Sequence, residues 1–330
     1  MATGFYKKGK AVRLISWNTK GMNSAVKVVC WGDFEHDENM TEFVTENSTT
    51  QPNDTEGFQK LSKYLYIVLI VLSLIGNGLV IFVTGYKMKT TVNSIWFLNL
   101  ATADFIFSFS PILHMISNLN SSICSFLLFL TRQNMFASIF FLTVISLDRC
   151  LCTWMVVWAK NKRTVVKARI VSLLVWVLSI SCGLLFTFYN GMDMMPLVIF
   201  EFIVGFLIPF LIIASSYTAI GVRVRQLKMK KFKVFRVIAV VFFVCWLPYY
   251  VSGIYITNAF ESDLFESFTL DAWFVIVFIS VAQWLVMLNS CLNPILYVFM
   301  CDEFKKTLKE SLLLVLETAF AEDHLMFHEA

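Results

Sequence analysis

The chain has 330 residues, 58% of them hydrophobic and only 15% charged, with a net charge of +4. Soluble domains carry about 45–50% apolar and about 25% charged residues, so an ordinary water-soluble core is excluded. The net charge is small, and its distribution along the chain carries more information than its sum.

In chain order, residues 1–30 are basic (Lys7, Lys8, Lys10, Arg13, Lys20, Lys27) and contain no acid. They lack the roughly 7–15-residue apolar core of a signal peptide. The stretch "RLISWNTKGMNSAVKV", residues 13–28, is similar to the opening strand and turn of the endonuclease domain of retrotransposon-encoded polyproteins. In that domain the asparagine matching Asn18 belongs to the metal and phosphate site. The resemblance stops there and the remaining catalytic acids and histidine are absent. It therefore implies a fused genomic fragment or a disordered tail, with no nuclease activity and no nucleic-acid partner.

Residues 33–56 reverse the sign, with eight acids (Asp33, Glu35, Asp37, Glu38, Glu42, Glu46, Asp54, Glu56) and no Lys or Arg. Asn39, Asn47 and Asn53 each begin an Asn-X-Thr glycosylation sequon in the same segment, and Asn120 begins a fourth, Asn-Ser-Ser. Two readings fit such a tail. It either captures a basic ligand by focusing a negative field, or serves as a solvated spacer held extended by like charge.

Seven apolar stretches follow, at about 61–85, 94–117, 123–149, 168–189, 195–222, 234–258 and 272–300. Each suffices for the roughly 20-residue helix that crosses a bilayer, and none alternates like the strands of a membrane barrel. The expected fold is all-α, a polytopic seven-transmembrane helix bundle. Lys87 and Lys89, the run from Lys160 to Arg169, the run from Arg223 to Lys233, and Lys305, Lys306 and Lys309 share one side. Short basic loops stay cytoplasmic, which puts the N-terminus outside the cell. Expected divisions are an extracellular tail over 1–59, the bundle over 60–300, and a short amphipathic cytoplasmic helix with a tail over 301–330.

The eight cysteines show no metal-ligand spacing, and the four histidines (His36, His114, His324, His328) are scattered, so nothing reads as an enzyme. Polar groups within spans are expensive and mark functional sites by default. Asp104 stands in "NLATADF", Asn134 and Ser138 in "QNMFAS", and Asn289 and Asn293 in "NSCLNPILY". Asn134 and Ser138 share a helix face, as do Asn289 and Asn293. A carboxylate among amides and a hydroxyl suits a small hard cation such as sodium, or a shared proton. A hydrogen-bonded network that only joins helices fits equally well. Pro209, Pro248 and Pro294 fall inside spans and should kink them. With an intramembrane carboxylate, three kinks suggest a bundle with two states.

These motifs resemble the rhodopsin-like family of G-protein-coupled receptors over about residues 60–320. The match comprises GN with Asn77, LxxxD with Leu100 and Asp104, Cys124, "DRC" at 148–150, Trp176, Pro209 with Tyr217, "CWLP" at 245–248 and NPxxY at 293–297. "TVNSIWFLNLATADF" and "NMFASIFFLTVISLDRCLC" are similar to the chemoattractant group, which includes formyl-peptide, chemerin, complement anaphylatoxin and second prostaglandin D2 receptors.

The resemblance implies a plasma-membrane receptor that takes an extracellular peptide, protein or lipid ligand and couples to a heterotrimeric G protein, with the inhibitory class favoured. Arrestin and membrane lipids are further implied partners. It assigns coupling and switching to Asp148, Arg149, Tyr217, Trp246, Pro248, Asn293, Pro294 and Tyr297, with Asp148 restraining Arg149 at rest. It assigns an allosteric sodium ion, the sole cofactor implied, to Asp104, Asn134, Ser138, Asn289 and Asn293. It assigns the ligand cavity to Arg132, Glu201, Tyr249, Tyr250 and Gln283. There Arg132 either receives a ligand carboxylate or pairs with Glu201.

The pattern departs from the family in several places, among them a first outer loop without the usual tryptophan-containing stretch and Glu201 where several relatives carry a basic residue. Relatives bridge the cysteine at Cys124 to one in the second outer loop, but here that loop shrinks to about Tyr189–Met194 and holds none. Val156 stands where relatives usually carry proline. The missing bridge leaves a non-signalling product as the alternative, with a small-solute transporter behind it for want of an internal repeat.

Overall fold

The computed structural model describes residues 52–116, 121–188, 194–226, 232–261, 272–300 and 305–310. Within them α1 spans Pro52–Phe82 and runs into a π-helical turn, Val83–Lys87, before α2 (Val92–Ile116), α3 (Ser121–Trp154) and the short α4 (Val156–Lys162). Then come α5 (Val165–Phe188), α6 (Met195–Phe202), a second π turn (Ile203–Leu207), α7 (Ile208–Gln226), α8 (Phe232–Glu261) and α9 (Ala272–Met300). Seven segments are long and apolar enough to cross a membrane, from Lys60–Lys87 to Val277–Ile295, and α6 and α7 share one of them. The chain is the expected all-α seven-span bundle. Its first helix begins at Pro52, so α1 reaches back into the stretch expected as tail; proline is well tolerated where a helix starts.

Helix α3 runs through the middle of the bundle, packed against α2, α5 and α7. Around it α1 packs on α2 and α9, and α8 packs on α7 and α9, which closes the ring. α5 illustrates why these sequences assemble this way. Its buried residues are Ala168, Ser172, Val175, Ser179 and Gly183, a mostly small stripe at helical spacing. Its bulky residues Leu173, Leu174, Val177 and Leu178 point outward, each more than half exposed. Lipid is as apolar as leucine, so small side chains that let backbones approach decide which face turns inward. At Gly183 an added Cβ would lie 2.9 Å from the Gln133 Cβ of α3.

Local signals at the starts of α2 and α5 hold residues used below. Thr91 and Ser94 form a reciprocal cap on α2: the Ser94 N–H donates to Thr91 Oγ1 (3.1 Å) and the Thr91 N–H to Ser94 Oγ (2.8 Å). Thr164 Oγ1 receives the Lys167 N–H at the start of α5. Between α6 and α7, Pro209 offers no N–H to the turn before it, and the chain inserts a π turn there, with the Ile208 N–H bonding to the Ile203 carbonyl. That extra residue resets the phase of Glu201 relative to α7. Proline also lies inside α2 (Pro111), α8 (Pro248) and α9 (Pro294). Beyond α9, residues 305–310 are helical, with a Lys306–Glu310 ion pair at 3.9 Å and Leu308 packed on the bundle.

Candidate functional site

Three polar clusters lie along α3, one in mid-membrane and one toward each end. In the middle, Asp104 of α2 is fully buried. Its Oδ1 accepts the hydroxyls of Ser138 (2.7 Å) and Ser290 (3.3 Å), and its Oδ2 accepts Nδ2 of Asn293 (2.6 Å). One carboxylate thus ties α2 to α3 and α9. The network continues outward: Ser108 Oγ donates to Ser73 Oγ (2.7 Å), and Asn77 Nδ2 donates to Ser73 Oγ (3.1 Å) and to the Ser290 carbonyl (3.1 Å).

The structure therefore brings Asp104, Ser138 and Asn293 together, as the spacing suggested. Asn134 and Asn289 do not join them by hydrogen bond. Asn134 Nδ2 turns back to the Leu130 carbonyl (2.7 Å), and its Oδ1 and the Asn289 Nδ2 are buried without partners. Ser73, Ser108 and Ser290 are members that sequence reasoning missed. Serine is common in membrane helices because it can bond to its own backbone, so its presence alone gives no signal. The donor set nevertheless fits a small hard cation: carboxylate and hydroxyl oxygens, with the unpartnered Asn134 amide oxygen as a further oxygen donor on the same helix as Ser138.

Toward the N-terminal end of α3, Arg132 forms an ion pair with Glu201 of α6. Of the two expected alternatives, pairing is the one realised. Arg132 also lies 5.3 Å from the Phe186 ring centroid and 6.0 Å from that of Tyr249. Tyr249 and Tyr250 pack edge to face at 5.3 Å, and Tyr250 contacts Phe202 and Phe206. Tyr250 crowds Gly205 in the π turn, where any larger residue would collide with its hydroxyl. Gln283 is half-buried on α9. Trp246, almost fully buried, sits edge-on to Tyr249 one turn below, two residues before Pro248. Beneath it a small void is bordered by Tyr217, Phe242, Asn289 and Asn293. Gly76 of α1 packs against the ring of Pro294, with room for no more than a tight contact at 3.2 Å.

Toward the C-terminal end of α3 the structure corrects an expectation. Asp148 does not restrain Arg149. Both of its oxygens are taken by Arg163, from Nε at 2.7 Å and Nη2 at 2.8 Å. Arg163 approaches from the connection before α5 with its fork in plane, and by taking both oxygens it fills the carboxylate. Arg149 instead donates Nη2 to Asn93 Oδ1 (2.9 Å) and lies over the Phe97 ring, and its Nε is buried without a partner. Asn93 Oδ1 also accepts Nη2 of Arg163 at 2.5 Å, so one amide oxygen bridges the two arginines.

Tyr297 belongs to α9, but its side chain lies outside the described residues, as does that of Cys124 in α3. Asn39, Asn47 and the acids from Asp33 to Glu46 lie outside them altogether, and Asn53, in the first turn of α1, is described in backbone only. No metal-binding group of His, Cys, Asp and Glu occurs among the described residues.

Residues 76–297 match the family of 7 transmembrane receptors, rhodopsin family. The chain is 37% identical over 303 residues to the C3a anaphylatoxin chemotactic receptor of Oncorhynchus mykiss, covering 80% of each chain. It is 33% identical over 307 residues to human chemerin-like receptor 1, covering 78% of this chain and 79% of the relative. N-formyl peptide receptor 3 of Gorilla gorilla gorilla is 33% identical over 296 residues, covering 77% of this chain and 84% of the relative. With seven spans and a buried carboxylate network bridging three of them, the chain belongs to the rhodopsin family of seven-transmembrane receptors, within its chemoattractant group: a multi-pass plasma-membrane protein that takes an extracellular ligand and couples to a G protein, and not an enzyme.

Proposed function

We propose that this receptor recognises a basic peptide or protein chemoattractant, with its N-terminus outside the cell, and activates a heterotrimeric G protein of the inhibitory class. The observation that carries the ligand class is the Arg132–Glu201 pair. A lone ligand carboxylate, such as a fatty acid brings, would have to displace Glu201 from the cavity's arginine and leave a second anion in an aromatic enclosure, which is costly. A basic group that takes Glu201 displaces Arg132 instead, but the freed guanidinium still lies over the Phe186 and Tyr249 rings, and the eight acids between Asp33 and Glu56 favour the ligand's approach. The relatives' names, C3a, chemerin-like and formyl peptide receptors, point to peptide and protein ligands as well. The inhibitory class follows the family resemblance, and arrestin and surrounding lipids follow as partners of that reading. The test is a panel of basic chemoattractant peptides and of prostanoids on cells expressing the chain, reading cyclic AMP and calcium. A peptide should lower cyclic AMP; a response to prostanoids alone would overturn the ligand class. Silence to both with normal surface expression would favour a non-signalling receptor.

The Asp104 cluster is proposed to hold sodium when the receptor is at rest, with Asp104, Ser138 and Asn134 as oxygen ligands. Replacing sodium with a bulky organic cation should then raise agonist affinity, and Asp104→Asn should abolish that dependence. Equal affinity of the unmutated receptor in both salts would leave the cluster as a helix-joining network only.

A further inference from the structure

Arg163 stands in the basic run from Lys160 to Arg169, which the sequence marks only as belonging to one side of the membrane, yet it makes a two-point contact with the Asp148 carboxylate. It holds Asp148 through two parallel N–H···O bonds at 2.7 and 2.8 Å, and it shares the Asn93 oxygen with Arg149. Both partners of that ion pair are largely shielded, at 20% and 13% side-chain exposure, so water competes weakly for it. The consequence falls on Arg149. Its charge is opposed by a neutral amide oxygen and a ring face, while its Nε finds no partner. Hydrogen bonds to a carboxylate are roughly twice as strong as those to neutral acceptors, so Arg149 is held far less firmly than Asp148 would hold it.

We propose that Arg163 is a positioning residue for G-protein coupling: by occupying Asp148 it keeps Arg149 available, and it sets a ligand-independent level of signalling. This rests on the reading of Arg149 as the residue that engages the G protein. Without the Arg163 guanidinium, Asp148 loses both of its charged hydrogen bonds, and Arg149, next in sequence, becomes the cation to replace them. The resting state then tightens. The effect runs through the carboxylate, so it vanishes once Asp148 is neutral. A loss of local structure alone would persist.

The experiment measures nucleotide exchange on purified inhibitory-class G protein by membranes bearing the full chain without agonist, normalised to surface receptor, with Arg149→Ala as the zero of coupling. Arg163→Gln should lower exchange by about fivefold or more, the low end of coupling between linked sites, and Arg163→Lys, which donates at a single point, should fall between. In the Asp148→Asn background Arg163→Gln should add nothing. If Arg149→Ala lies below the unmutated receptor while Arg163→Gln matches or exceeds it at equal surface level, the proposal is overturned and the coupling role of Arg149 survives. If Arg163→Gln lowers exchange equally with and without the Asp148 carboxylate, its role is structural and the proposal also falls. If Arg149→Ala exchanges like the unmutated receptor at a level above receptor-free membranes, the underlying reading fails first; if neither rises above receptor-free membranes, there is no ligand-independent signalling to set and the proposal alone falls.

Discussion

Two arginine–carboxylate pairs lie toward opposite ends of α3, and they differ in what surrounds them. The outer pair, Arg132–Glu201, joins two spans inside an aromatic enclosure, with Glu201 only 6% exposed along its side chain. The inner pair, Asp148–Arg163, joins the end of a span to a connecting segment and is extended by an amide that also holds Arg149. The outer pair has charge but little polar support; the inner one belongs to a four-residue network. A buried pair is weak evidence for net stability, since desolvation offsets the attraction, but breaking one by removing a single partner is costly. The outer pair should therefore be the more damaging to break, and the inner pair the more readily exchanged between arrangements.

Largest in expected effect is Arg132→Met. It leaves Glu201 buried with no substitute cation among the described residues around it, at a cost of about 3–5 kcal/mol. Glu201→Gln should cost less, because Arg132 keeps the Phe186 and Tyr249 ring faces, worth about 0.5–2 kcal/mol when desolvated. Thermal unfolding of the detergent-solubilised, ligand-free receptor ranks the two; equal melting temperatures would mean the rings offer Arg132 nothing. Next comes Arg163→Gln, whose loss of charge-assisted hydrogen bonds should cost about 1.5–3 kcal/mol by the same assay. A larger loss than for Arg132→Met would reverse the comparison between the two ends.

The clusters also differ in how far they could be read beforehand. Asp104, Ser138 and Asn293 were legible because an intramembrane carboxylate must find donors, and helical spacing limits which residues can offer them. Asn134 and Asn289 share the same faces, yet Asn134 spends its amide on its own helix and Asn289 keeps an unpartnered nitrogen; spacing fixes a face, not a side-chain rotamer. The π turn at Ile203–Leu207 changes the phase of α6, and only Pro209 hints at it. Arg163 was illegible for another reason. It stands fifteen positions beyond Asp148 along a helix end and connection, and no periodic pattern links two positions across such a turn.

The central claim is that the chain is a working receptor whose coupling runs through Arg149, despite its short second outer loop. It is tested most directly by agonist-stimulated nucleotide exchange on purified inhibitory-class G protein, comparing the unmutated chain with Arg149→Ala at equal surface level. Any active peptide from the panel serves as agonist, and its binding is measured in parallel. The account predicts stimulated exchange by the unmutated receptor, and none above background by Arg149→Ala with peptide affinity largely kept. Equal exchange by the two receptors would contradict it.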